Sequence, residues 1–166
     1  DQAKAYLKFL REYVKTVPDG LGLSIFFVTP QPGSYLPASV HGKIIMAAVV
    51  CFAGDIYEGE KVLNPLRTFG SPAFDTVALA PYLLLQRSVD PLMQANLSYE
   101  KSVYLKELSD DAIEVLVDQA AVMTSPWSHL HFVLMGGAIS RVAEDETAFC
   151  YRQAAYDCYI LPHWVN

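Results

Sequence analysis

Apolar residues along the first third of the chain predict a helix followed by two strands. Residues 2–16 carry apolar side chains at helical spacing, among them Tyr6 and Leu10, with the charged side chains largely off that stripe. A Pro-Asp-Gly sequence at 18–20 ends the helix. A strand is predicted at 21–29, and the nearly continuous apolar run at 43–52 predicts a second strand that is covered on both faces.

A second helix is predicted to begin after Asp55. Asp55 is a suitable N-cap, and Glu58 stands three residues further on, which is a capping-box arrangement. Gly70 is the expected terminator. Because proline cannot donate a hydrogen bond within a helix, Asn64 is expected to cap the chain again, with Pro65 as the first residue of a last short turn.

The rest of the pattern predicts three further strands and one further helix. The strands are predicted at 99–105, 128–135 and 148–160, while residues 74–90 fit no single element. Ser109 caps the helix, and two aspartates in its first turn lie at the positive end of the helix dipole. This order, without short glycine-rich turns between strand and helix, predicts the α+β class. We expect a mostly antiparallel sheet with helices packed on one face, in a single domain over 1–166.

Composition predicts an interface and argues against two kinds of partner. Hydrophobic residues make up 52% of the chain and the mean hydropathy is +0.22, so apolar surface is expected to be buried against another domain or a second copy of the chain. No apolar run reaches the length of a membrane span. A net charge of −6 without a cluster of lysines and arginines argues against nucleic acid. Cys51, Cys150 and Cys158 form no CxxC pair, which fits a reducing cytoplasm.

The common catalytic and metal-binding motifs are absent from the sequence. His129 and His131 share a face of a predicted strand and His163 follows later, but no further Cys or His ligand stands at a workable spacing, so no metal site is predicted. The sequence has no GxSxG nucleophile motif and no complete GxGxxG or GxxxxGK phosphate loop. A dinucleotide is therefore not expected to bind to this chain alone.

Candidate binding residues follow the strand predicted at 128–135. Gly136 and Gly137 allow a flat ligand or another backbone to approach closely, or else form a bend. Arg141 can grip an anionic or carbonyl group, or else pairs with Glu144 or Asp145 at the surface. Several tyrosines on or near predicted strands offer apolar area with a polar tip, as ligand pockets require: Tyr82, Tyr99, Tyr104, Tyr151, Tyr156 and Tyr159.

The order of these segments resembles a known family. The similarity begins with HGKIIMAAVVCFAGDIYEGEKVLNPLRTFGSPAFD at 41–75 and continues with PYLLLQ, Asp90, YEKS, LSDDAI, LMGGAISRV, TAFCYRQAAY and Trp164. In this order the segments are similar to the bacterial FAD-linked oxidases of the berberine-bridge-enzyme-like group. The similarity covers roughly residues 4–164.

The resemblance implies a flavoprotein of the vanillyl-alcohol-oxidase type. In that family an N-terminal domain and a returning C-terminal segment bind FAD, and an α+β domain between them faces the substrate. This chain resembles the α+β domain, so its expected partners are the FAD-binding domain of the same protein and a small-molecule substrate. Gln86, Lys101, Arg141, Gly136 and Gly137 are carried over as residues that face the substrate side of the flavin. Arg141 stands about where plant members place an acidic catalytic base, which leaves the base unassigned.

The resemblance therefore predicts that the intact protein oxidises a small organic alcohol, amine or sugar by transferring a hydride to FAD. The alternative is a non-catalytic α+β module that binds a partner or pairs with a second copy of itself. The two hypotheses differ in whether a flavin-binding segment accompanies the chain.

Overall fold

The computed structural model describes residues 2–88, 90 and 97–165. These ranges contain the helices α1 (Gln2–Tyr13), α2 (Ile56–Thr68), α3 (Tyr82–Arg87), α4 (Asp110–Ala121) and α5 (Ala138–Arg141), with a 3₁₀ turn at Ala38–Val40. The strands are β1 (Leu21–Val28), β2 (Ile45–Phe52), β3 (Leu97–Ser98), β4 (Lys101–Leu105), β5 (His129–Leu134), β6 (Tyr156–Leu161) and β7 (His163–Trp164). None of the described helices has the length and apolarity that crossing a bilayer requires.

Five of the strands form one antiparallel sheet in the order β2-β1-β5-β6-β4, and β3 pairs with β7 in a separate antiparallel ribbon. Successive side chains of a strand point to opposite faces of the sheet. In β1 every second side chain is buried, beginning with Leu21 and ending with Phe27. The predicted α+β class with a mostly antiparallel sheet is confirmed.

The core lies between one face of this sheet, here called the helix-covered face, and the helices α1, α2 and α4. The largest fully buried side chains come from both layers and include Leu7 and Leu10 of α1, Ile113 of α4, Ile25 of β1 and Phe132 of β5. Burying one such side chain stabilises the fold by about 1.5–3 kcal/mol. The helix-covered face therefore supplies most of the apolar stabilisation.

The N-cap predicted at Asp55 is confirmed for α2, whereas no hydrogen bond from Glu58 to the Asp55 N–H completes the predicted capping box among the described residues. The Oδ1 atom of Asp55 accepts hydrogen bonds from the backbone N–H groups of Tyr57 at 2.9 Å and Glu58 at 3.1 Å. The Glu58 carboxylate pairs with Lys61 at 2.8 Å. Gly59 lies where the helix approaches the sheet so closely that a Cβ atom would stand 2.8 Å from the Phe52 ring. The cap and this close contact together fix where α2 packs against β2.

The break predicted at Pro65 is wrong. α2 runs without interruption from Ile56 to Thr68. Proline removes one donor from the helix, but Leu66 is buried in the core and the Thr68 hydroxyl donates to the Asn64 carbonyl at 2.9 Å. Tertiary packing thus carries the helix through the proline. Gly70, with a φ of +66°, follows the end of the helix as predicted.

Two predicted strands are corrected by the structure. Within the described residues β2 pairs only with β1, and most of its side chains are half-buried rather than covered on both faces. The strand predicted at 148–160 forms only from Tyr156 to Leu161. Before it the chain makes a turn in which the Ala154 N–H donates to the Tyr151 carbonyl at 3.2 Å, so residues 148–155 form a loop instead of the first part of the strand.

Candidate functional site

The sheet face opposite the helices carries aromatic and ionisable side chains, and is here called the tyrosine–histidine face. Its centre is a row of three rings on adjacent strands, because Phe26 pairs with His131 and His131 pairs with Tyr159. The ring centroids are 4.8 Å apart between Phe26 and His131 and 4.6 Å apart between His131 and Tyr159, and both pairs are stacked. Three strands therefore present one continuous aromatic platform.

Three histidines extend this platform towards one end of the sheet. The ring centroids of His129 and His131 are 5.5 Å apart, and those of His129 and His163 are 5.3 Å apart. Burial lowers the pKa of His131 to about 4, with the neighbouring His129 acting in the same direction. Burial also lowers the pKa of His129, and His163 adds to the effect. His129 and His131 are therefore neutral near pH 7. Among the described residues, no group of three Cys, His, Asp or Glu side chains is placed to hold a metal ion.

Tyr159 and Asp157 form a hydrogen-bonded pair beside the platform. They are two residues apart on β6, so they share a face, and the Tyr159 hydroxyl donates to Asp157 Oδ2 at 2.5 Å. Asp157 is only 4% exposed. This hydrogen bond, followed by burial, raises the pKa of Tyr159 to about 12. Tyr159 therefore keeps its proton near neutral pH and holds it against a buried carboxylate.

Three buried polar atoms on or beside the tyrosine–histidine face have no hydrogen-bond partner among the described residues. They are Asp157 Oδ1, His131 Nδ1 and His163 Nε2. Leaving a buried polar group without a hydrogen bond costs about 1–3 kcal/mol, and such groups are rare in folded proteins. Tyr104 lies opposite Asp157 on β4 and stacks on Tyr151 with 4.1 Å between ring centroids. The unpartnered acceptor thus lies among tyrosine rings, which marks the place as a candidate for binding or proton transfer.

A cavity of about 620 Å³ adjoins the platform at the end of β1. Phe26 and His129 belong both to the cavity wall and to the tyrosine–histidine face, and Val49 of β2 lies on the same side. The loop at 29–36 and the segment at 126–128 supply much of the remaining wall. The volume falls within the range of about 300–1,000 Å³ that is usual for small-molecule sites.

The candidate residues after β5 lie together at the opposite end of β1. Arg141 forms an ion pair with Asp19, in which Nη1 is 3.2 Å from Oδ1 and Nη2 contacts Oδ2. The alternative surface partners, Glu144 and Asp145, are therefore wrong. Gly137 has a φ of +64°, and a Cβ atom there would lie 3.0 Å from Asp19 Oδ1. Gly137 thus forms a bend that brings the chain against the Asp19 side chain.

Gln86 and Lys101 belong to other elements than this group. Gln86 is exposed on α3. Lys101 begins β4 and alternates with Ser102, so it shares the face of Leu105, which packs against the core. Its ammonium group lies 5.6 Å from the centroid of the Tyr99 ring. Arg141 contacts Asp19 and Lys101 contacts Tyr99, and no described contact joins either of them to Gln86, so their role towards a substrate stays a prediction.

Asp157 is absent from the residues that the sequence nominates, whereas Tyr159 is among the tyrosines noted on strands. One signal was available in the sequence. An aspartate inside the apolar strand Tyr156–Leu161 is unusual, because burying a carboxylate is costly unless it is hydrogen-bonded. The tyrosine two residues further on supplies that hydrogen bond.

Comparison with known proteins gives one relative in sequence and several in structure. No family model matches the chain. An FAD-linked oxidoreductase of Dictyostelium discoideum is 26% identical over 159 residues, which cover 93% of this chain and 32% of the relative. The chain thus spans about a third of the length of the curated relative that it matches.

Solved structures of similar fold come from berberine-bridge-enzyme-like proteins and a sugar oxidase. A berberine-bridge-like protein of Physcomitrella patens superposes with a TM-score of 0.72 at 16% identity, covering 99% of this chain and 36% of that one. Chitooligosaccharide oxidase gives 0.69 at 17% identity, with 99% and 36% covered. Berberine bridge enzyme from Eschscholzia californica gives 0.69 at 14% identity, with 100% and 34% covered. The chain is therefore homologous to an FAD-linked oxidoreductase and has a fold found in berberine-bridge-enzyme-like proteins.

Proposed function

We propose that the chain is the substrate-facing part of an FAD-dependent oxidoreductase that oxidises a small organic alcohol, amine or sugar. The observation that carries this proposal is the Tyr159–Asp157 pair on the tyrosine–histidine face. A hydroxyl held against a buried carboxylate is suited to moving a proton. The homologous Dictyostelium protein is named an FAD-linked oxidoreductase, and hydride removal from an alcohol or amine needs such a proton acceptor.

The residues present fit the ring part of a flavin or an aromatic substrate better than the phosphate part of a dinucleotide. The rings of Phe26, His131 and Tyr159 stack face to face and form one aromatic row across three strands. A pyrophosphate requires clustered backbone donors or a helix N-terminus, and the sequence has no glycine-rich phosphate loop. We therefore expect the FAD-binding domain of the same protein to hold the cofactor. When bound, FAD supplies the two-electron acceptor of the reaction.

The proton path begins at the substrate and ends at Asp157. Because the pKa of Tyr159 is raised to about 12, its hydroxyl is protonated at rest and can donate to Asp157 Oδ2. As the substrate O–H or N–H gives its proton to the Tyr159 oxygen, the Tyr159 proton passes to Asp157. The carboxylate becomes a carboxylic acid and Tyr159 regains its resting form. Neutral His131, stacked on Tyr159 at 4.6 Å, keeps the ring in position.

An exposed apolar surface supports the expectation of a covering partner. Side chains near α3 are largely exposed, including Leu79 at 82%, Tyr82 at 69% and Leu84 at 60%. Clusters of exposed apolar side chains are typical of surfaces that another domain or subunit covers. By contrast, a face built only for pairing with a second copy would have no need of the buried carboxylate of Asp157. The oxidoreductase hypothesis is therefore favoured over the hypothesis of a non-catalytic module.

The test is the rate of flavin reduction in the full-length flavoprotein, measured by stopped-flow absorbance with the alcohol or amine that the wild type oxidises fastest. Tyr159→Phe and Asp157→Asn should each slow reduction by about 10²- to 10⁴-fold, which is the usual contribution of a positioned acid or base. Tyr156→Phe is the matched control, since Tyr156 lies on the same strand but on the helix-covered face. Wild-type reduction rates in both the Tyr159 and Asp157 variants would refute the proton path.

A further inference from the structure

The cavity beside the platform has walls of a distinct chemical character. Rings and prolines make up a large part of the described lining, among them Phe26, Tyr35, Phe74, Trp127, Pro30 and Pro126. None of the described lining residues is an Asp, Glu, Lys or Arg. Its one histidine, His129, has a pKa that burial lowers below the ordinary 6.5. The described wall therefore offers no formal charge near neutral pH.

Three polar side chains of the lining, those of Gln31, Ser34 and Ser128, already bond to the protein itself. The Gln31 amide donates to the carbonyls of Thr29 at 2.7 Å and Pro126 at 3.3 Å. The Ser128 hydroxyl oxygen accepts from the His163 N–H at 3.0 Å. The Ser34 hydroxyl lies 3.3 Å from His41 Nε2. A ligand hydroxyl would find these three side chains already engaged, and a charged ligand would lose its hydration without gaining a counter-ion from the described wall.

The cavity is continuous with the proton-transfer pair through shared residues. Phe26 lines the cavity and stacks on His131, and His131 stacks on Tyr159. His129 also lines the cavity and stacks on His131 at 5.5 Å. A molecule that lies partly in the cavity can therefore extend along the edges of these stacked rings towards Tyr159, which lies outside the cavity lining.

From these observations we infer that the cavity selects an uncharged, ring-bearing alcohol and discriminates against ammonium, carboxylate and sugar analogues of similar size. The inference rests on the proposed oxidoreductase function, and it narrows the alcohol, amine or sugar of that proposal to an aromatic alcohol. Stacking rings and prolines bind a flat apolar body, and the hydroxyl is the one polar group that has to reach Tyr159.

The test measures binding rather than turnover, using isothermal titration calorimetry on the full-length flavoprotein. The probes are naphthalenemethanol, naphthylmethylamine and naphthoate, which share one ring system and differ in charge, together with glucose. Naphthalenemethanol should bind at least about tenfold more tightly than each of the others, because the described wall offers no counter-ion to the charged probes and glucose lacks a ring system that the aromatic side chains can contact. Equal or tighter binding of the amine, the carboxylate or glucose would overturn the inference.

A charge placed in the cavity wall sharpens the test. Val49→Asp should weaken naphthalenemethanol binding by about tenfold and shift the preference towards the amine. Cys51→Asp is the matched control, because Cys51 lies two residues further along the same face of β2 and outside the cavity lining; it should leave the preference unchanged. An unchanged preference in a folded Val49→Asp variant would count against the cavity. If that variant does not fold, the wild-type probe series decides alone.

Failure of this inference can be told apart from failure of the proposed function. Preferred binding of an amine or a sugar, together with slow flavin reduction in Tyr159→Phe, would reject the neutral aromatic alcohol and leave the proton path intact. Preferred binding of naphthalenemethanol with wild-type reduction in Tyr159→Phe would keep the cavity assignment and reject the proton path.

Discussion

The two faces of the same sheet differ in what their side chains do. On the helix-covered face, Ile25 and Phe132 are almost completely buried among apolar neighbours. On the tyrosine–histidine face, the adjacent residues Phe26 and His131 form part of an aromatic platform next to a cavity. The two sets alternate residue by residue along β1 and β5. The helix-covered face therefore stabilises the fold, whereas the tyrosine–histidine face is available for binding or catalysis.

The two faces also differ in buried polar atoms that lack a hydrogen-bond partner and therefore lower the stability of the fold. Unpartnered buried polar atoms occur on the tyrosine–histidine face, at His131 Nδ1 and Asp157 Oδ1. The described side chains of the helix-covered core are almost all apolar. Local violations of otherwise consistent packing are expected at functional sites. The contrast between the faces thus separates residues whose loss should unfold the chain from residues whose loss should change its chemistry.

The largest expected effect is on the free energy of unfolding, and it is tested by replacing one phenylalanine on each face of the sheet. Phe132→Ala should lower the free energy of unfolding by about 3–5 kcal/mol, because it removes a fully buried ring and leaves a cavity. Phe26→Ala should cost about 1–2 kcal/mol, since the Phe26 ring is only half-buried and borders an existing cavity. Chemical denaturation followed by circular dichroism measures both values. Equal losses would show that the two faces contribute alike to stability.

Most helices and strands could be predicted from the sequence, whereas the contacts and the strand order that join them could not. The alternation in His129–Leu134 is visible in the sequence and predicts a two-faced strand, which the structure confirms. The break predicted at Pro65 was wrong because Leu66 is buried in the core, and these tertiary contacts, which the local sequence does not reveal, stabilise the helix across the proline. The run at 43–52 suggested full burial, but its position at the sheet edge depends on strand order, which apolar periodicity does not encode.

The site was harder to predict because its parts come together only through strand pairing. The stacking of Phe26 on His131 depends on the register of β1 with β5, more than 100 residues apart in the chain. Asp19 and Arg141 are separated by 122 residues, so the local carboxylates Glu144 and Asp145 were the natural but wrong partners. The Tyr159–Asp157 pair is local, yet it becomes recognisable only once the strand is known to begin at Tyr156.

A second, smaller effect is the pH dependence of stability that arises from His131 on the tyrosine–histidine face. In the folded chain the pKa of His131 is lowered to about 4, whereas an unfolded histidine titrates near about 6.5. Between these values the unfolded state binds more protons than the folded state, so stability is complete above about pH 6.5 and is lost as the pH falls towards 4. The loss attributable to His131 should be on the order of 2–3 kcal/mol.

The matching variant is His131→Phe, which keeps a ring on the platform and removes the titrating group. Its unfolding free energy should fall less steeply than that of the wild type between about pH 6.5 and 4. Some slope will remain, because the pKa of His129 is lowered in the same direction. Denaturation curves at several pH values give the comparison. Parallel pH dependences in wild type and variant would mean that His131 is not desolvated on this face.

The smallest expected effect concerns Arg141, which lies at the end of the sheet rather than on the cavity side. The guanidinium and the Asp19 carboxylate pair at the surface, with side chains 63% and 50% exposed, so Arg141→Ala should cost only about 0–1 kcal/mol of stability. Asp19 and Arg141 lie at the start of β1 and the cavity lies at its end, so naphthalenemethanol binding should also stay at the wild-type level.

Lys101→Ala provides the comparison, since Lys101 was predicted alongside Arg141 but shares the face of the helices. Thermal midpoints, ligand affinities and flavin-reduction rates of the two variants separate the roles. A large fall in the reduction rate of Arg141→Ala with unchanged stability would instead extend the functional surface beyond the tyrosine–histidine face to the bend at Gly136 and Gly137.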